Sequence, residues 1–127
     1  MLFLIAFGHF YFFAQAQYRF DMVIYGATPG GIAAAIQTAR MVKVSCFDRA
    51  ITAYYIGGHI TGGLGSADID NHKEFRNSSV IGGIAMEFYQ KLAVHYSRVK
   101  AFEEMLERHE KNTMLWKTES SVAESVF

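Results

Sequence analysis

The chain has 127 residues, 51% hydrophobic and 15% aromatic, with twelve Lys and Arg balanced by twelve Asp and Glu. One small domain with a packed core fits these figures; a disordered chain or a basic nucleic-acid-binding surface does not. Cys46 is the single cysteine, which excludes an intrachain disulfide, a cysteine-held iron–sulfur cluster and a Cys-rich zinc site for this segment.

From the N-terminus, Leu2 to Ala14 is almost wholly apolar and is followed by the small-x-small pattern Ala14-Gln15-Ala16. Residues 1–16 are therefore predicted to be a signal peptide cut before Gln17, and the mature protein to be secreted or periplasmic. No Lys or Arg precedes the apolar run; if it is not cleaved, it is a hydrophobic N-terminal arm or a membrane-surface anchor, and the protein is cytoplasmic. The run is shorter than the ~20 apolar residues of a comfortable membrane span, so no stable span is expected.

Phe20 to Tyr25 reads as a buried strand ending in a glycine turn. Pro29 to about Met41 reads as a helix, with Thr28 as N-cap and Pro29 in the first helical position. Val42 to Phe47, ending at Asp48, reads as a second strand. Together they predict a βαβ unit with parallel strands and a right-handed crossover, the α/β architecture of a Rossmann-type dinucleotide-binding domain. A loop with two glycine clusters follows, Gly57-Gly58 and Gly62-Gly63-Leu64-Gly65. Asp68 to Ser79 is polar and predicted irregular. Ile84 to about Tyr96 has helical spacing. Ala101 to about Lys111 reads as an amphipathic helix with Phe102, Met105, Leu106 and His109 on one side. A last helix is expected over Ser120 to Phe127, capped by Thr118. Two parallel strands cannot cover their own faces, so residues 17–127 are expected to be the N-terminal, incomplete part of a larger domain.

The chemistry starts at Gly26-Ala27-Thr28-Pro29-Gly30-Gly31. Against G-x-G-x-x-G, Gly26 and Gly31 fill the first and third positions, and Thr28 stands where the second glycine is usual. A strand before and a helix after make this a cradle for a pyrophosphate, because a helix start offers unpaired N–H groups and partial positive charge. Thr28 can cap the helix or donate to a phosphate oxygen; the two roles are compatible. Asp48, 17 positions after Gly31, suits the ribose-binding acid expected about 20 residues on. Its charge disfavours a 2′-phosphate, although the adjacent Arg49 could serve one. Five glycines in nine positions over Gly57 to Gly65 exceed what turns need. They permit close backbone approach to a flat ligand. A plain NAD site has no use for this second loop; a flavin dinucleotide has.

The glycine turn, Asp48, the GG-x-x-T-GGLG run with Asp68, the Ile81–Tyr89 segment and Trp116 to Phe127 resemble, in order, the N-terminus of the FAD-dependent oxidoreductase family. That family has a glutathione-reductase-like FAD domain and lies near proteins related to heterodisulfide reductase. The resemblance spans roughly Tyr18 to Phe127. It implies an FAD cofactor, with Gly26, Thr28, Gly30 and Gly31 at the pyrophosphate. Asp48 would lie at the adenine ribose, and Gly57, Gly58, Thr61, Gly62 and Gly63 along the route to the flavin. Threonine is common in the family at the Thr28 position. The chain departs from the pattern at Asp48 (more often Glu), Arg49 (Pro), His59 (Met), Ala53-Tyr54-Tyr55 and Ser120-Ser121 (Pro-His). Catalytic residues are expected beyond Phe127 and none is assigned; the chain alone is expected to hold FAD weakly or not at all.

The expected function is the FAD-binding portion of a flavin-dependent oxidoreductase. The alternatives are an NAD-dependent dehydrogenase and a non-catalytic, truncated nucleotide-binding fragment. His59 could shuttle protons beside a flavin but reads first as a surface residue. Cys46 and Trp116 read as packing residues. Asp68, Asp70 and His72 read as a polar loop, and no metal site is assigned.

Overall fold

A computed structural model of the chain describes residues 19–41, 45–48, 56–71 and 77–127. The predicted signal peptide, Arg49 and Ala53-Tyr54-Tyr55 lie outside the described residues.

The first strand, β1, is Met22–Tyr25; the first helix, α1, is Pro29–Arg40; the second strand, β2, is Ser45–Asp48. The strands pair in parallel, in register from Met22 opposite Ser45 to Tyr25 opposite Asp48. The predicted βα turn is realised residue for residue. Thr28 is extended (φ −75°, ψ 165°), its Oγ1 accepts from Gly31 N–H at 3.1 Å, and Pro29 opens the helix. β1 starts two residues later than the apolar run suggested. One face of the strand pair lies under α1, where Ile24 and Ile32 are buried; on the other, Val23 and Tyr25 are 65% and 78% exposed.

Beyond the glycine loop the molecule is helical. A 3-10 turn at Ser78–Val80 precedes α2 (Gly83–His95) and α3 (Val99–Glu107). A second 3-10 turn, Thr113–Trp116, precedes α4 (Ser120–Val126). The core sits here. Ala93, Phe102, Met105, Leu115 and Trp116 form one buried cluster, and Phe88, Leu92 and Ala123 a second, bridged by Tyr89 of α2. Trp116 meets Tyr89 and Phe102 edge-on, with ring centroids 4.9 and 5.0 Å apart.

Two helical expectations are corrected. His109 is exposed and lies past the end of α3, not on its buried side; its φ is +53°. Glu110 N–H donates to Met105 O and His109 N–H to Leu106 O, the paired bonds that close a helix through a left-handed residue. Ser97, with φ +52°, ends α2 the same way through Arg98 N–H to Ala93 O. Thr118 does not cap α4. Glu119 occupies the N-cap position without a side-chain cap bond, and the Thr118 hydroxyl donates to Glu119 O.

A cavity of about 340 Å³ lies between α1 and α2, with Ile32, Ile36, Ile84, Phe88 and Phe127 among its walls. Arg40 and Glu87 also border it and form a two-pronged ion pair between the helices, with Nη1 to Oε1 at 2.9 Å. The hydrogen-bonded guanidinium holds the Glu87 carboxyl below the usual glutamate range, and the carboxylate raises Arg40 in turn.

Candidate functional site

The glycine turn separates two kinds of glycine. Gly31 is there for packing: a Cβ on it would lie 2.1 Å from Gly26 O and 3.5 Å from the Ile24 side chain. Only a bare Cα lets the first turn of α1 lie this close to β1. Gly26 and Gly30 face open space. Gly26 has φ +104° and nothing within 4 Å of where a Cβ would be, and at Gly30 the nearest atom is Thr28 Oγ1 at 3.9 Å. The first-turn amides divide in the same way. Pro29 has no N–H, Gly31 N–H is held by Thr28 Oγ1, and Ile32 N–H donates to Thr28 O at 2.9 Å. Gly30 N–H is the one with no acceptor among the described residues, on a helix start whose dipole favours an anion.

The second glycine loop is bonded onto the first. Gly57 N–H donates to Ala27 O at 2.8 Å, and a Cβ on Gly58 would stand 3.5 Å from the Pro29 ring. Two segments thirty residues apart thus form one glycine-rich surface at the carboxyl end of β1. Within the loop, Gly62 N–H donates to Gly58 O at 2.8 Å. Thr61 is 2% exposed and its hydroxyl donates to Ile56 O, so this side chain holds the loop's own shape. Gly57 is packed as well: a Cβ there would strike the Phe127 ring and Thr61. Gly58 and Gly63 stay exposed, the latter with nothing within 4 Å of a Cβ position. Asp48 closes β2 beside Tyr25, one strand over from the turn.

A family model described as FAD dependent oxidoreductase matches residues 21–127. The chain belongs to that family. FAD is the cofactor of FAD dependent oxidoreductases, and their FAD domain implies a dinucleotide-binding fold. No curated protein and no solved structure matches the chain. The described residues fit the cofactor: the open Gly26, Gly30, Gly58 and Gly63 and the unspent Gly30 N–H supply what a diphosphate and a flat ring system need, namely donors and room.

Around the loop lie contacts of this FAD dependent oxidoreductase that the sequence did not show. Thr118 N–H donates to Gly65 O at 3.0 Å, and a Cβ on Gly65 would lie 2.1 Å from Thr118 O, which ties the loop to the start of α4. Asp70 is buried, with φ +58°. Its Oδ1 accepts from Asn77 and Ser78 N–H at 3.2 and 3.0 Å, and it thereby closes the loop onto the first 3-10 turn. Asp68 and His59 are exposed. Among the described residues no group of three His, Cys, Asp or Glu is placed to hold a metal, and no helix is long and apolar enough to cross a membrane. Burial pushes the Tyr89 phenol above the usual tyrosine range.

Proposed function

We propose that β1, α1 and β2 form a Rossmann-type βαβ unit that grips the FAD diphosphate, and that the second glycine loop carries the cofactor on toward its flavin end. Gly26, Thr28, Gly30 and Gly31 form the diphosphate turn. Of these, Gly30 donates directly, and Gly31 and the Thr28 cap fix the turn's shape. Asp48 takes the adenine ribose. Gly58 and Gly63 meet the ligand, while Gly57, Thr61 and Gly62 hold the loop in place. When bound, FAD supplies hydride and electron transfer; this part of the protein supplies binding and orientation.

The Gly57 N–H to Ala27 O bond carries this reading, because it joins the two glycine segments into one surface. An NAD-dependent dehydrogenase would have no use for that joint. Among the described residues, Val23 and Tyr25 of β1 are exposed on the face away from α1, which supports reading residues 17–127 as the N-terminal part of an FAD-binding domain. Export rests on the apolar run of residues 2–14 and its small-x-small site; an intact Met1 on protein recovered from cells would overturn it.

Titration of FAD into the protein, followed by quenching of flavin fluorescence, tests the ribose assignment. Asp48→Ala is expected to weaken binding about tenfold, the scale of one lost charge-assisted hydrogen bond. Unchanged affinity would remove Asp48 from the site.

A further inference from the structure

The cavity of about 340 Å³ between α1 and α2 is larger than packed helices leave, since protein interiors hold few voids bigger than a water molecule. Its α1 wall runs from Pro29 through Ile32 and Ile36 to Arg40. Those positions share one stripe of the helix, about 16 Å long. Ile84 and Phe88 are part of the α2 wall. Water is a poor occupant of such a hollow, because a buried water needs about two to four polar partners. The charges lie toward the Arg40 end, where Glu87 and the exposed Lys91 also border the cavity. The Glu87 carboxyl is held low first by its bond to Arg40 and in smaller part by the Lys91 ammonium, so the three charges form one group. Glu87 is committed to Arg40, which spends two of its guanidinium N–H donors there and keeps the others. The rim is therefore positive overall.

The geometry points to a binding site for a medium-chain aliphatic carboxylate, whose tail lies along the isoleucine stripe and whose carboxylate sits at the rim on Lys91 and the outward N–H groups of Arg40. An apolar body with a few fixed polar contacts is what a pocket of this size selects. A cationic head would meet Lys91 and Arg40 with Glu87 already paired. A neutral head would leave the Lys91 charge unused. Extended decanoate fits within the stripe, at the roughly 1.2 Å per chain bond of an extended backbone. The site does not rest on the FAD reading above.

Calorimetric titration of decanoate into the whole chain tests this, with decanol and decyltrimethylammonium carrying the same tail under a neutral and a cationic head. Decanoate is expected to bind once per chain, with Kd on the order of 0.1 mM. Both controls should bind at least about fivefold more weakly, and Lys91→Ala should cost decanoate about fivefold, the scale of one exposed charge-assisted bond. Lys91→Arg should restore the affinity. Ala85→Phe, which puts a ring into the opening from an exposed position of α2, should abolish decanoate binding while FAD affinity is unchanged. If Ala85→Phe does not fold, the pair Lys91→Ala and Lys91→Arg decides. Absence of decanoate binding, equal binding of the three tails, or undiminished decanoate affinity in the variants would overturn the proposal. So would a self-associated chain, seen by sedimentation, whose contact Ala85→Phe breaks, because a second copy would then fill the cavity. Failure of the unsubstituted chain to bind FAD, with decanoate binding intact, would count against the cofactor reading only.

Discussion

A methyl group separates the two roles of glycine in the first turn. On Gly31 it would collide with the Gly26 carbonyl, a backbone atom that cannot swing away. Gly31→Ala is expected to cost about 1–3 kcal/mol and to weaken FAD binding as α1 is displaced. Gly30 has room for the same methyl group, and alanine is the better helix former by up to about 1 kcal/mol. Gly30→Ala should therefore keep or raise the thermal midpoint while weakening FAD binding, because the methyl group occupies ligand space. Thermal melts and FAD titrations on the two variants check both halves; a matched loss of stability would contradict the division. The sequence made the turn, its cap and its proline legible, since all three act within six residues. It could not tell packed glycines from open ones. What packs on Gly57 is Phe127, seventy positions away, and the partner of the Thr61 hydroxyl depends on how the loop closes.

Among the elements, the helix ends show what sequence patterns miss. Both α2 and α3 stop on left-handed residues that are not glycine, Ser97 and His109, so no glycine marked the boundary. Periodicity alone then extended α3 to a residue that lies beyond it. The second 3-10 turn has a local cap in Asn112, whose side-chain oxygen accepts from Met114 N–H at 3.2 Å, and it is also held from outside. Arg98, just past α2, donates from Nη1 to Met114 O at 3.2 Å and from Nη2 to Lys117 O at 2.8 Å, with its guanidinium 4.4 Å from the Tyr96 ring centre. Those bonds fix the segment that carries Trp116. Arg98→Ala should destabilise the protein by about 1–2 kcal/mol, given that the bonds are partly exposed. Arg98→Lys should recover only part of this, because an ammonium lacks the planar fork. Chemical denaturation of the two variants measures it, and equal stability of Lys and Arg at this position would refute the staple.

At the scale of the molecule, the glycine loop bonds to the βαβ unit through Gly57 N–H to Ala27 O and to the helical core through Ile56 N–H to the Glu124 carboxylate, and the Arg40–Glu87 ion pair joins α1 to α2 directly beside an apolar cavity. The ion pair gives a pH dependence of known sign. Because Glu87 is depressed in the folded state, its contribution is present above the ordinary glutamate pKa and is lost as pH falls through the lowered folded value. The thermal midpoint of the protein should exceed that of Glu87→Gln at pH 7. The gap should close in acid and shrink in high salt, since both side chains are partly exposed. A gap that persists below pH 3 would mean that the pair does not act through charge. The family and its cofactor were readable from the order of the motifs, because each is short and local. The joint between the two glycine loops was not readable, because it is a single backbone bond between segments that composition alone cannot bring together.

The central claim is that the opening of α1, with its one unspent amide, receives the FAD diphosphate. It is tested most directly by following the Gly30 backbone N–H resonance of the ¹⁵N-labelled protein as FAD is added. A large downfield, saturable shift at Gly30, with smaller shifts at Gly26, Gly58 and Gly63, is the predicted result. A Gly30 resonance that stays in place while FAD binds elsewhere, or that moves no more than those of α3, would contradict it.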